Sequence, residues 1–374
     1  MSWRRFIAIM VKEFVQMRRD RLTFAMMVGI PILQLILFGF AINSDPRSLP
    51  TAVLSADNSE FSRSFVRAVE NSGYFRVVRR LDSEREAERL LAEGAVQFVI
   101  SVPENFSRKL VRGERPVLLV EADATDPAAT SNALSALSIL NQTALARDLG
   151  GSLAHLQNGP PPFEVRVHRR YNPEGITQYN IVPGLIGTIL TMTMVIMTSL
   201  AMTRERERGT MESLLATPVR PIEVMAGKIV PYIIVGYIQV AIILAAAKLL
   251  FTVPVVGSVT LLSVALVVFI AANLAVGFTF STLAKNQLQA MQMAFFFFLP
   301  SILLSGFMFP FRGMPEWAQW LGEVLPLTHF LRILRGILLK GNGPGEIVPE
   351  LWPIGLFLLA AAAIALVRYR ETLD

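Results

Sequence analysis

The chain has no cysteine and only three histidines, His155, His168 and His329. Disulfide bonds, thiolate metal sites and cysteine nucleophiles are therefore excluded, and with no two histidines at i, i+4 spacing no zinc centre is expected. Charge is scarce as well. Of the 374 residues 17% are charged and 53% hydrophobic, whereas soluble domains run nearer a quarter charged. A phosphate cradle of the form G-x-x-x-x-G-K-[ST] is missing: the nearest approach, Gly227-Lys228, has Ile222 and Ile229 where glycine and a hydroxyl are needed. Neither G-x-S-x-G nor H-E-x-x-H occurs. The chain is expected to be no enzyme and to hold no metal or cofactor of its own.

What the sequence has instead is oil. Uncharged stretches long enough to cross about 30 Å of hydrocarbon occur at Leu22–Ile42, Ile181–Met202, Ile229–Phe251, Val259–Ala284, Ala290–Phe311 and Leu351–Val367, interrupted only by Lys248 near one end. The first is too long for a signal-peptide core and no A-x-A-like site follows it, so it reads as a retained anchor. The pI near 9.8 does not indicate nucleic acid, because the basic residues sit beside the spans. Arg4, Arg5, Lys12, Arg18, Arg19 and Arg21 precede the first span, five more lie between Arg204 and Lys228, and Arg368 and Arg370 follow the last. The positive-inside rule makes these segments, and both termini, cytoplasmic.

The expected division is an amphipathic interface helix at 1–21, a first span at 22–42, an outer domain at 43–175, a second span at 176–203 and a cytoplasmic loop at 204–228. Spans at 229–251, 259–284 and 288–311 follow, then outer re-entrant or interfacial helices at 312–350, a sixth span at 351–368 and a cytoplasmic tail at 369–374. Residues 2–19 either lie in the inner interface or extend the first span into the cytoplasm. In the outer domain, strand-like runs at Thr51–Ser55, Phe75–Val78, Val96–Ser101, Val117–Glu121 and Val165–His168 alternate with helical patterns at Ser59–Asn71, Ser83–Glu93, Glu104–Arg112 and Ala128–Leu149. Such alternation predicts an α/β domain. Asp57, Asn58, Asp123 and Asp126 follow strand candidates, as helix caps or as ligand contacts; capping is the plainer reading, clearest for Asp126 before Pro127.

Gln34, Gln239, Asn273 and Gln292 inside the spans are neutral, which suits interhelical hydrogen bonds better than substrate contact. No Asp or Glu lies in a span, which argues against an ion-coupled carrier. Gly322–Lys340 places leucines, Phe330 and Ile333 at helical spacing and Arg332, Arg335 and Lys340 on a basic face. It is expected to lie in, or dip into, the outer interface, at the level marked by Trp317, Trp320 and Trp352.

The stretch RERERGTMESLLATPVRP, 204–221, puts six charges into nine positions directly after an uncharged span. A topogenic flank accounts for the arginines alone. It does not account for the break and N-cap at Gly209-Thr210, for Glu212 in a first turn, for the apolar tip of Leu214 and Leu215, or for the stop at Pro218. A short capped helix with exposed leucines inside a ring of both charge signs has the form of a plug for a socket on another protein.

ERERGTMESLLATPVRPIEVMAGKIVPY is similar to the first intracellular loop of ABC-2 type exporter permeases, in particular the bacterial drug-exporter branch with a large periplasmic domain between the first two spans. RYNPEGITQYNIVPGLIGTIL resembles that family's lead-in to the second span, and FLPSILLSGFMFPFRGMP its fifth span and outer turn. The resemblance runs over essentially the whole chain. It implies an α-helical polytopic inner-membrane protein with six transmembrane helices and an inserted α/β periplasmic domain. Two permease subunits, identical or different, would work with ABC ATPase subunits on a separate chain that carry the ATP and Mg. By that likeness Arg204, Glu205, Glu207, Arg208, Gly209, Thr210, Met211, Glu212, Leu214 and Leu215 form the coupling element, and Asn172 and Pro173 shape the periplasmic lead-in. A periplasmic adaptor and an outer-membrane channel are further implied partners. The expected cargo is drug-like or amphiphilic, with a lipid or polysaccharide as the alternative; a secondary carrier or a sensor without flux are the rival classes. A neighbouring reading frame with the phosphate-cradle motif favours the exporter.

Overall fold

The computed structural model describes residues 45–157, 159–207 and 221–371. The expected interface helix at 1–21 and first span at 22–42 lie outside the described residues, as do 208–220.

Residues 45–170 form the α/β domain. Its elements are β1 (Leu49–Ser55), α1 (Glu60–Asn71), β2 (Phe75–Leu81), α2 (Glu84–Glu93), β3 (Phe98–Val102), α3 (Phe106–Val111), β4 (Val117–Asp123), α4 (Pro127–Thr143) and β5 (Glu164–Arg170). The sheet order is β2-β1-β3-β4-β5, parallel except where β3 meets β4. Side chains alternate across the pleat. Val53, Phe98, Ile100, Val102, Leu118 and Val120 therefore pack under Phe65 of α1, Phe106 of α3 and Leu137 of α4. Ala52 and Val99 face Ala87, Leu90 and Leu91 of α2 on the other side. Ser59, Ser83 and Asp126 accept from the first turns of α1, α2 and α4, which fixes where those helices begin. α4 ends at Thr143, short of the expected Leu149, and the chain turns before a 3-10 segment at Gly151–Leu156.

The remainder is helical: α5 (Gln178–Glu207), α6 (Pro221–Phe251), α7 (Val259–Leu283), α8 (Gln287–Leu304), α9 (Glu316–Val324), α10 (Pro326–Arg335) and α11 (Pro344–Glu371). Five of these, α5, α6, α7, α8 and α11, are long and apolar enough to cross a membrane, so the chain is a polytopic membrane protein. α5 and α7 are the most buried of the five, while α6 and α11 turn most of their surface outward. Phe269 of α7 stacks on Phe330 of α10 with ring centroids 3.9 Å apart. At Gly277 of α7 an added Cβ would lie 2.6 Å from the Val195 carbonyl oxygen of α5, so only glycine permits this backbone approach.

Several boundaries differ from expectation; the third span is expected at 229, and α6 begins earlier, at Pro221. The fifth span was expected to reach 311, but α8 stops at Leu304, because Gly306 turns left-handed at φ 80° and Pro310 follows. The last span was expected at 351, but α11 begins at Pro344, where Glu346 accepts the Gly343 N–H at 2.9 Å as half of a capping box. Gly322–Lys340 is not one amphipathic helix. Pro326 holds Leu325 extended at φ −83°, ψ 130° and splits the stretch into α9 and α10, followed by a π turn at Gly336–Lys340.

Candidate functional site

α5 joins the two regions in which the sequence placed functional residues. Its 30 residues are about 45 Å long at 1.5 Å per residue, more than a bilayer core requires.

At its outer end, Asn172 is fully buried. Its Oδ1 accepts the Ile176 N–H at 2.8 Å and its Nδ2 donates to the Ile176 carbonyl at 3.0 Å. One side chain thus closes the turn between β5 and α5, with Gly175 at φ 66° supplying the left-handed step. Pro173 is exposed on the rim of this turn. Asp126, the cap of α4, also accepts from Asn180 Nδ2 in the first turn of α5, at 3.4 Å.

Beside this turn the α/β domain is bolted to the outer helices. Lys340 Nζ lies 2.6 Å from Asp123 Oδ2, donates to the Leu91 carbonyl at 2.9 Å and sits 5.1 Å from the Tyr171 ring centroid. Asn342 Nδ2 donates to the Ala92 carbonyl at 3.0 Å. Burial and the nearby Asp123 push the Tyr171 phenol up to about 12, so the ring facing Lys340 stays neutral at physiological pH. A second cluster ties the outer helices to one another. Arg332 of α10 reaches Glu323 of α9 at 2.6 Å and Glu350 of α11 at 3.3 Å, and its guanidinium lies 4.7 Å from the Phe311 ring centroid. Arg335 donates to the Gly306 carbonyl at 3.0 Å. A cavity of about 240 Å³ lies between these clusters, lined by Asp123, Asp126, Arg312, Arg335 and Glu350 among others. The basic face of this stretch is turned onto the protein itself: acids on β4, α9 and α11 pair with Arg332 and Lys340.

The strand-end acids are structural in this geometry. Asp57 accepts from Ser59 N at 2.8 Å and from Ser107 N and Oγ at 2.8 and 3.0 Å. It thereby fills the crevice at the ends of β1 and β3 in which sheets of this order bind ligands. Burial alone would raise its carboxyl, but these hydrogen bonds hold it below the usual range. Asp123 is held by Thr125 and Lys340.

Along the bundle, hydroxyls of Thr188, Thr191 and Thr203 bond back to carbonyls one turn earlier. Gln239 of α6 accepts from Thr193 of α5 at 3.0 Å, an interhelical bond. Asn273 Nδ2 donates within its own helix to Phe269, while Asn273 Oδ1, Thr198 Oγ1 and Gln292 Oε1 are buried without partners.

At its inner end α5 carries the charged run. Arg204 and Glu207 are exposed, Glu205 lies in the same helix, and Arg208, Gly209, Thr210, Met211, Glu212, Leu214 and Leu215 lie outside the described residues. Glu207 Oε1 accepts the Gln287 backbone N–H at 2.8 Å and Oε2 accepts Gln287 Nε2 at 2.5 Å. The fourth residue of the charged run thus caps α8, beside the Asn286 cap that accepts from Gln289 N. These bonds, the Gln287 side chain first, hold the Glu207 carboxyl below its usual value.

Sequence reasoning noted His329 and the spacing of Arg332, Arg335 and Lys340 but missed what they bind, since their partners Glu323, Glu350 and Asp123 come from other elements. The 329, 332, 335 rhythm is the one signal that a single helix face carries them. Among the described residues no group of His, Asp and Glu is placed to hold a metal ion.

A family profile described as ABC-2 family transporter protein matches residues 21–367. "Probable multidrug ABC transporter permease YbhS" of Escherichia coli (strain K12) is 31% identical over 97% of this chain and 95% of its own length. "Probable multidrug ABC transporter permease YbhR" of the same strain is 29% identical over 96% of each chain. "Inner membrane transport permease YhhJ", also from that strain, is 29% identical over 91% of this chain and 93% of its own.

Proposed function

The chain belongs to the ABC-2 family of transporter permeases, and from that premise we propose that it is the membrane half of an ATP-driven exporter of drug-like or amphiphilic molecules. It is a permease subunit and not an enzyme. ATP hydrolysis belongs to an ABC ATPase on another chain, two permease subunits assemble around the path, and closure of the ATPases pushes the 204–215 segment of each. The likeness to proteins named as multidrug permeases supports the cargo class. The absence of any charged residue from α7, α8 and residues 178–203 of α5 favours an ATP-powered body over an ion-coupled carrier.

One observation carries the reading. The charged run begins on the same continuous helix that crosses the bundle, and its Glu207 grips the first turn of α8, so a push on the run moves two spans together. In the proposed topology residues 22–42 form a sixth span, the α/β domain is periplasmic, both termini are cytoplasmic and the membrane is the bacterial inner membrane. An adaptor and an outer-membrane channel would meet the α/β domain. The test is co-purification: Glu212→Lys, or shortening 209–217, is expected to abolish ATPase association while the chain still inserts. Normal association of both variants would remove the docking role.

A further inference from the structure

His329 is 6% exposed, at the point where α9, α10 and α11 meet. Its Nδ1 lies 2.5 Å from Glu350 Oε2 of α11 and its Nε2 lies 2.8 Å from the backbone carbonyl oxygen of Glu323 on α9. A carbonyl oxygen can only accept, and so can an ionised carboxylate. A neutral imidazole has one N–H and would leave its other nitrogen lone pair facing an oxygen lone pair; an imidazolium donates to both. Arg332 Nη1, 3.3 and 3.4 Å from the two Glu350 oxygens, favours the carboxylate form of that partner and so keeps the shared proton on the ring. The charged groups around the ring are Glu323 on α9, Arg332 on its own helix and Glu350 on α11, with Arg312 beyond them lining the same cavity. α7, α8 and residues 178–203 of α5, the other helices packed near it, contain no charged residue.

We propose that protonated His329 is a latch that ties α9 and α11 together through α10, and that its α9 arm loosens as the outer compartment becomes alkaline. Burial alone would lower the affinity of the ring for its proton, but the hydrogen bonds to Glu350 and to the Glu323 carbonyl outweigh it and hold the pKa above that of free imidazole. The latch is therefore complete below the free-imidazole value and is lost as pH climbs through the raised value of the folded state. Loss of that proton removes one of two bonds, and the bond at risk is the one to α9, because Nδ1–H remains attracted to the Glu350 carboxylate. As a positioning device, His329 acts through Glu350 and Glu323 on the packing of the hairpin.

What the hairpin controls during export rests on the permease reading, but the protonation of His329 does not. The test is nuclear magnetic resonance of the full-length protein in detergent with labelled histidine, which shows three residues only. The His329 signal is expected to stay in the imidazolium position at pH values where free imidazole has lost its proton. Glu350→Gln is expected to shift its titration down toward that of free imidazole. In parallel, the melting temperature of the native chain should fall from neutral to alkaline pH, and His329→Gln should remove that fall. Titration of His329 at or below the free-imidazole value overturns the latch, as does an alkaline loss equal in His329→Gln and the native chain. Should His329→Gln fail to fold, the resonance of the native chain decides alone. Failure of the latch leaves ATPase co-purification untouched, so the two conclusions fall separately.

Discussion

Lys340 and Asp123 are separated by 217 residues, lie 2.6 Å apart and are 7% and 9% exposed at their side chains. A buried pair of this kind adds little beyond the loss of water around two charges, but removing one member strands the other. Lys340→Met is therefore expected to destabilise the junction by about 3–5 kcal/mol, and Lys340→Met combined with Asp123→Leu by clearly less than the sum of the single effects. Reversible unfolding in detergent across the double-mutant cycle measures both; additive losses would show that the two side chains do not depend on each other. The capping acids behave differently. Asp126 bonds a backbone N–H three residues ahead, so its role was legible in the sequence as Asp before Pro127, whereas Asp57 also holds Ser107, 50 residues on, which no local pattern shows. The Lys340 bond depends on a turn of the chain far downstream, which no local pattern encodes, and a lysine on a leucine-rich helix reads equally well as a headgroup contact.

At the scale of elements, the strands and helices of the α/β domain overlap the stretches that alternation and capping marked, with shifted ends such as that of α4 at Thr143, and five apolar stretches coincide with long helices. Hydropathy fixes what is oily but not where a helix stops. Left-handed Gly306 ended one helix early, Pro326 split another, and Glu346 with Pro344 started a third seven residues ahead of its apolar stretch. The coupling role expected of 204–215 rests on charge pattern and likeness, and the capping of α8 by Glu207 was invisible because it joins residues 80 apart. Close helix contacts are likewise silent in composition. Gly277 and Gly355 both lie in apolar helices, yet a Cβ on Gly277 would press on Val195 and Thr198 atoms at 2.6 and 2.9 Å, while one on Gly355 meets nothing within 4 Å. Gly277→Ala is expected to lower stability by about 1–3 kcal/mol through overpacking and to reduce export. Gly355→Ala should be neutral or slightly stabilising, since alanine is the better helix former. Thermal unfolding of the two variants in parallel separates a packing glycine from a merely apolar position; equal effects would refute the close approach of α5 and α7.

For the molecule as a whole the question is which side of the membrane receives the α/β domain. Its two edge strands expose arginines, Arg76, Arg79 and Arg80 on β2 and Arg166 and Arg169 on β5, a charge pattern that discourages pairing with another sheet. A count of positive charge that included these residues would draw the domain inward. Long translocated domains, however, escape the positive-inside rule, which is counted over short loops and the residues flanking the spans. Apart from 312–350, which carries Arg312, Arg332, Arg335 and Lys340, the short segments divide by sign. Five basic residues lie between Arg204 and Lys228, Lys285 sits between α7 and α8, and Arg368 and Arg370 close the chain, whereas the α6–α7 connection 252–258 has none. The internal ties sort by side: Lys340, Asn342 and Asp126 fasten the α/β domain to the helix ends on one side of the bundle, and Glu207 and Gln287 join helix ends on the other. Reporter fusions after Gly159 should accordingly be active in the outer compartment and fusions after Thr210 in the cytoplasm. The reverse pattern would invert the molecule, leave the charged run facing away from any cytoplasmic ATPase, and end the reading of that run as the point where work enters.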